Sequence, residues 1–267
     1  MELSIYQVDA FTSQPFKGNP AGVCITQTAL DDDLMLAIAA EMALPETAFL
    51  ALDDFNLRWF TPTVEVKLCG HGTLAVAHIL KQHYDVTQGQ QLVFNTLSGE
   101  LVVTINANSI DMNFPAAHID STFIPTPALL THLGLTADQV LSSHFFNGKA
   151  LIEIANEADL LALAPNFDGL NSVGGLSAVV VTSPSTTNTT DFISRHFGPW
   201  VGINEDPVTG AAHCGLAVFW GNKLNKTRLT GYQASSRGGE VKIELLGNHR
   251  VMLSGQAVTV LKGTMLI

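Results

Sequence analysis

The sequence predicts an α+β fold built as two similar lobes, and three observations point there. The first is a repeat: Gly70 and Gly210 each open an apolar, small-residue helix behind a strand-like segment, and they lie 140 positions apart. The same offset carries Ala77 onto Ala217, Thr96 onto Ser236, Gly99 onto Gly239 and Glu100 onto Glu240, and the alternating strand Leu101-Val103-Ile105 onto Val241-Ile243-Leu245. Turn, helix and strand recurring in one register indicate an internal duplication with a period near half the chain. The second is length: 267 residues exceed the usual single domain and allow two lobes of about 130 residues, each able to bury a core. The third is composition, 46% apolar against 14% charged, which belongs to a compact chain rather than a disordered one. The expected lobes are residues 1–116 and 117–267, with the last strand free to cross to the first lobe.

Composition also removes function classes. A formal charge of −11 disfavours nonspecific binding to nucleic acid or to an acidic membrane surface. Met1-Glu2-Leu3 begins without the basic and apolar regions of a secretion signal, and no apolar run reaches the length of a membrane span. Cys24, Cys69 and Cys214 form an odd, sparse set without CxxC. That spacing suggests a reducing cytoplasm and argues against zinc or another metal.

In chain order, Ser4 to Phe11 reads as a buried strand. It runs into a loop carrying Pro15, Gly18, Asn19 and Pro20, a candidate wall or lid, before a short return strand Gly22 to Ile25. Asp31-Asp32-Asp33 supplies an N-cap and first-turn acids for a helix through about Leu44, with Leu34, Ile38 and Met42 on one face and Pro45 as its stop. Apolar strands follow at Thr47 to Ala51 and Leu57 to Thr61, then a helix from Gly70 to about His83, uncharged until Lys81 and hence surrounded by protein. Strands near Leu92 to Phe94 and Leu101 to Ile105 pair through Ser98-Gly99, and Ile110 to Phe114 ends the first lobe. Pro115 to Pro127 reads as the connection. The second lobe shows helical pieces near Pro127 to Leu133 and Glu157 to Leu163, strands at Ala150 to Ala155 and Ser177 to Thr182, and a polar surface loop from Ser183 to Thr190.

The chemistry is expected at the two repeated turns. Backbone N–H groups at a helix start are unpaired and carry partial positive charge, so Gly70-His71-Gly72-Thr73 and Gly210-Ala211 can each receive a carboxylate or other oxyanion. Glycine lets a ligand approach the backbone closely. Neither stretch is a nucleotide loop, because Gly-x-x-x-x-Gly-Lys-Ser/Thr and a strand–GxGxxG–helix unit are both missing; a small organic anion fits better. Glu46 sits between a helix end and a buried strand, where desolvation can raise a carboxyl pKa toward the range useful for proton transfer; a plain surface-turn residue is the alternative. His71 and Asp206 flank the two turns, either as groups that bind and share a substrate proton or as a core hydrogen-bonder and a helix cap. His213 is ambiguous between site and packing, and His78 and His83 read as structural.

Five ordered blocks then match a family: Val8-Asp9-Ala10-Phe11 with Gly18-Asn19-Pro20-Ala21-Gly22-Val23; Leu44-Pro45-Glu46-Thr47-Ala48-Phe49; Cys69-Gly70-His71-Gly72-Thr73; Gly202 to Gly210; and Gln233-Ala234-Ser235-Ser236-Arg237-Gly238-Gly239. Together they resemble the phenazine-biosynthesis (PhzF-like) isomerases. The resemblance implies two lobes, each a β-barrel-like sheet around a central helix, in the fold shared with diaminopimelate epimerase and proline racemase, with the site between the lobes. It implies a cofactor-independent isomerase in which a glutamate moves a proton between carbons of a small cyclic amino acid, and a homodimer. Glu46 matches that glutamate by its Pro-Glu-Thr-Ala setting, and His71 and Asp206 match two polar site residues. Asn19, Gly70, Gly72, Thr73, Gly210 and Ala211 complete the candidate site as substrate-binding positions.

Two departures bear on the chemistry. The epimerase relatives use paired cysteines; here Cys69 occupies the first position, whereas the 140-residue offset places Thr209 on the second. Cys214 is more than a helical turn beyond it. A two-thiol racemase is therefore disfavoured. Where the family commonly has serine after the second-turn glycine, this chain has Ala211. An isomerase of a small carboxylate is the expected activity; an amino-acid epimerase or racemase, and a non-catalytic small-molecule-binding or stress-related protein, are the alternatives.

Overall fold

A computed structural model describes residues 1–120 and 123–267. The chain forms two compact units, Met1–Phe114 with Met252–Ile267, and Pro115–Val251. Of the connecting run Pro115 to Pro127, residues 121 and 122 lie outside the described residues. No helix among the described residues is long and apolar enough to cross a membrane.

In the first unit, β1 (Glu2–Ala10), β2 (Asn19–Thr26), β3 (Glu46–Ala51), β4 (Leu57–Phe60) and β5 (Glu65–Val66) follow one another across a sheet. The C-terminal strand β17 (Ala257–Leu266) closes the other side of β1, from Glu2 opposite Leu266 to Ala10 opposite Ala257. β2 and β3 run parallel with Ala21 opposite Glu46, and both are almost wholly buried, as a parallel pair covered on both faces should be. Their crossover is α1 (Asp32–Met42), capped by the Asp31 carboxylate accepting from Asp33 N–H.

Helix α1 departs from expectation at its end and on its face. It stops at Met42, with Ala43 left-handed at φ 51, so the chain has turned before Pro45. Its buried residues are Met35, Ile38 and Ala39, whereas Leu34 and Met42 pack only partly buried at the edge of that cluster. The three buried positions follow the i, i+3, i+4 stripe of a 3.6-residue helix.

Helix α2 (Gly70–His83) packs against β1, β2, β3 and β17, its stretch Leu74-Ala75-Val76-Ala77 fully buried. β6 (Gln91–Thr96), β7 (Gly99–Ile105) and β8 (Ile110–Pro115) form an antiparallel meander, the β6–β7 turn closing with Thr96 opposite Gly99.

The second unit repeats the plan. β9 (Val140–Phe146), β10 (Lys149–Ile154), β11 (Ala178–Pro184), β12 (Phe192–Gly198), β14 (Arg228–Gln233) and β15 (Gly239–Leu246) lie side by side, and β13 (Ile203–Asp206) pairs with β12. Ser183 and Pro184 belong to β11, with Ser183 buried, so the polar loop is shorter than its composition suggests. Alternation along β12 divides the interior. Ile193 and Phe197 join a core with α3 (Pro127–Leu133), α4 (Glu157–Ala162) and α5 (Phe167–Asn171). Phe192 faces the other way and stacks on Trp220 of α6 (Gly210–Leu224), with ring centroids 5.6 Å apart. The duplication is visible in the element starts: α6, β15 and β16 (Arg250–Gly255) begin at 210, 239 and 250, each 140 positions after α2, β7 and β8.

Candidate functional site

In the first unit, three side chains, from Asn19, Glu46 and Cys69, converge on His71. Glu46 opens β3, one strand over from Asn19, which opens β2; Cys69 and His71 belong to the turn that starts α2. His71 Nε2 lies 3.1 Å from Glu46 Oε2. His71 Nδ1 lies 3.3 Å from Asn19 Nδ2 and 3.5 Å from Cys69 Sγ. With Nδ1 accepting from the Asn19 amide, the neutral ring carries its proton on Nε2 and donates to the Glu46 carboxylate. Cys69 is the N-cap of α2: its sulfur accepts from Gly72 N–H at 3.3 Å.

The electrostatics follow from burial and pairing. Burial pushes His71 toward neutrality, but Cys69 and the Glu46 carboxylate, by charge and by hydrogen bonding, outweigh it and hold the imidazole pKa well above the ordinary histidine value. Burial raises the Cys69 thiol, against the opposing pull of His71 and the Gly72 N–H. With the thiol protonated, the Glu46 carboxylate is the anion that keeps favouring imidazolium. The ring is therefore a proton-bearing group fixed between a carboxylate and a sulfur.

The remaining first-unit candidates are engaged in the turn itself. Thr73 is fully buried; its hydroxyl donates to Cys69 O at 2.7 Å and its N–H to the same oxygen at 3.1 Å. A Cβ at Gly72 would lie 2.8 Å from Trp59 Cδ1 and 3.0 Å from Cys69 Sγ. Glycine is needed there for packing, and the space that the sequence suggested for a ligand is filled by Trp59 and Cys69. Gly70 is half-buried at the first position of α2.

In the second unit, Asp206 ends β13 and Thr209 is the N-cap of α6, but the Thr209 side chain does not cap the helix. Its hydroxyl donates to Asp206 Oδ2 in a short hydrogen bond. Gln233, fully buried at the end of β14, braces the turn from both sides: its Oε1 accepts from Thr209 N–H at 2.8 Å and its Nε2 donates to Asp206 O at 2.7 Å. Gly210 is buried and Ala211 exposed at the first turn of α6. His213 donates from Nδ1 to Thr209 O at 2.8 Å, which makes it part of the helix start.

Sequence reasoning missed Cys69 as a neighbour of His71, Trp59 as the wall behind both, and Gln233 as the brace. The two-residue spacing of Cys69 and His71 was a usable signal. Gln233 headed one of the five matching blocks, which marked the position but not its role; for Trp59, ten or more positions from the groups it supports, there was no signal.

Each unit thus carries a central helix whose start is built up by side chains, Glu46, Cys69 and His71 at α2 and a braced aspartate at α6. Residues 8–263 match the pattern of the phenazine biosynthesis-like protein family. The chain belongs to that family. It is 47% identical to a protein of Halalkalibacterium halodurans described as an uncharacterized isomerase, over 100% of both chains. A crystal structure of a PhzF-family phenazine biosynthesis protein from Enterococcus faecalis superposes with a TM-score of 0.92, at 35% identity and with 100% of both chains covered. A hydroxyproline epimerase from Agrobacterium vitis, crystallised with trans-4-hydroxy-L-proline, shares the fold at a TM-score of 0.61 and 11% identity, over 99% of this chain and 92% of that one. Family membership supports an isomerase function.

Proposed function

We propose that the protein is a cofactor-independent isomerase of a small, cyclic carboxylate or amino acid, with Glu46 moving a proton between carbons. The observation that carries the reading is the 3.1 Å pair of Glu46 and His71 at the N-terminus of α2. A carboxylate held by an imidazole N–H has one oxygen fixed and its lone pairs directed, which is what a base abstracting a carbon-bound proton needs. In the other unit Asp206 is fixed by Thr209 and Gln233, and each helix start, Gly70 in α2 and Gly210 with Ala211 in α6, is a candidate for receiving a carboxylate on backbone N–H groups. Gly72 and Thr73 hold the α2 turn in shape.

General acid–base help of this kind is worth roughly 10² to 10⁴ in rate; positioning and oxyanion stabilisation supply the rest. Inversion by two thiols is disfavoured because the N-cap of α2 is Cys69 whereas that of α6 is Thr209.

Proton exchange tests the proposal. Wild type and Glu46→Gln are incubated in D₂O with small cyclic and α-amino carboxylates, a dihydro-hydroxyanthranilate among them, and carbon-bound hydrogen is followed by NMR. The expected outcome is rearrangement or exchange by wild type that falls at least about 10²-fold in the variant while ligand binding persists. A fully active variant removes Glu46 from the mechanism. Binding without any exchange makes the protein a binding module, and deuterium at an inverted α-carbon makes it an epimerase.

A further inference from the structure

Threonine is a favoured helix N-cap because its hydroxyl oxygen can accept a backbone N–H of the first turn. Thr209 holds that position in α6 and makes no such bond. Its hydroxyl accepts from Gln233 Nε2 at 3.2 Å and donates to Asp206 Oδ2. The start of α6 hangs instead on the backbone carbonyl of Thr209, which accepts from Ala212 N–H, His213 N–H and His213 Nδ1. A group suited to capping has been diverted from the helix to a carboxylate, which forgoes helix stability.

The backbone fixes the direction of each hydrogen here. Gln233 is fully buried, and its Oε1 accepts from Thr209 N–H at 2.8 Å, which leaves Nε2 for the other side. There it donates to Asp206 O at 2.7 Å and to Thr209 Oγ1. A reversed amide would set oxygen against the Asp206 carbonyl and N–H against the Thr209 N–H, so only one orientation satisfies both. With an amide hydrogen arriving at Oγ1, the hydroxyl sends its own to the carboxylate. The result is a one-way chain from amide to hydroxyl to carboxylate, in which each donation strengthens the next and the ionised form of the carboxyl is favoured. Just past β14, Ser235 grips the same turn, its hydroxyl donating to Pro207 O at 2.9 Å.

The first unit carries none of the three members. At the 140-residue offset Thr209 maps onto Cys69, Asp206 onto Val66 and Gln233 onto Val93, and Cys69 spends its sulfur on Gly72 N–H. The three polar groups thus occur together in one unit and are replaced together in the other, as members of a single device would be. A thiol is a weak donor, so a hydroxyl suits this position and a second cysteine does not. We infer that Thr209 and Gln233 are positioning residues that act through Asp206, holding its carboxylate in one orientation and as a hydrogen-bond acceptor. The effect on turnover rests on the function proposed above, whereas the state of Asp206 rests on the turn alone.

Carboxyl ¹³C NMR of the full chain, with Asp206→Asn to assign the signal, reads the carboxylate directly. In Thr209→Val, which keeps the shape and removes the hydroxyl, the Asp206 titration midpoint should rise by about one pH unit, a tenfold change in proton affinity. Thr209→Ser should match wild type, and Thr209→Cys should fall between the two. In wild type the Thr209 hydroxyl proton should appear downfield and exchange slowly with solvent, until Asp206 is protonated. An equal midpoint in folded Thr209→Val overturns the inference, and so does a rapidly exchanging hydroxyl in wild type, a result that depends on no variant folding. In the proton-exchange assay above, Thr209→Val should lose about 10-fold or more in rate, the cost of a hydrogen bond to a charged group, and Thr209→Ser should rescue it. A fully active Thr209→Val overturns the positioning role. Wild type that exchanges no carbon-bound hydrogen sinks the isomerase reading, and the NMR midpoints still decide whether Thr209 holds Asp206.

Discussion

His196 is the side chain with the least obvious reason to be where it is. It is 6% exposed, and neither ring nitrogen has a hydrogen-bond partner among the described residues. Burial, reinforced by Lys149 and His213, pushes its pKa down to about 3, against ~6.5 for an exposed histidine. The unfolded chain therefore takes up this proton first as pH falls. The group leaves stability untouched above about pH 6.5 and erodes it progressively down toward pH 3. His213, lowered to about 4 by burial, adds a second such proton over a narrower window. We expect the urea midpoint to drop between pH 7 and pH 4.5, and His196→Phe to shrink that drop by the share of one proton. An unchanged pH difference would mean that His196 charges freely in the native state. At this scale the sequence supplied the residue types but not their pairings. Glu46 and His71 were each visible as candidates, yet their contact spans 25 positions and depends on a parallel crossover that no local pattern encodes. The sulfur of Cys69 as an N-cap was hidden for another reason: helix caps are ordinarily oxygen.

At the scale of elements, the two central helices start alike and are held differently. Cys69 folds its own side chain back to accept Gly72 N–H in α2, whereas α6 relies on Gln233 reaching in from β14. The α2 solution leaves no room at Gly72. Gly72→Ala is expected to cost about 1–3 kcal/mol, the usual range for overpacking, because Trp59 and Cys69 must both give way. Chemical denaturation measures that cost. An alanine tolerated at full stability would show that Trp59 has space to retreat. Helix positions were legible because apolar periodicity and turn residues report them directly, as for α2, whose expected and observed limits coincide. The face of α1 was less so: Met35 and Ala39 replaced Leu34 and Met42 in the interior, a rotation that only the neighbouring sheet decides.

At the scale of the whole molecule, the duplication was the most legible feature, since glycine-led turns repeating at one offset survive when most other identities have gone. The threading of the chain was less so. The first unit is made of two pieces, Met1–Phe114 and Met252–Ile267, with the second unit, Pro115–Val251, spliced between them as one continuous run.

That threading sets an order of birth. A ribosome makes β1 early, yet β1 waits for β17, which is made after the whole of the second unit, so the earlier-started unit is the later one to be completed. The second unit has all its residues once Val251 has emerged, and it can mature while its predecessor is still missing an edge. Chains truncated at Val251 and released from the ribosome should accordingly yield a protease-resistant fragment that begins near Pro115, with the preceding residues digested. Resistance starting at Met1 in the same chains would mean that β1 needs no closing strand. An exposed edge on β1 during translation is also an opportunity for unwanted pairing with another chain, and the arrival of β17 is the event that ends it.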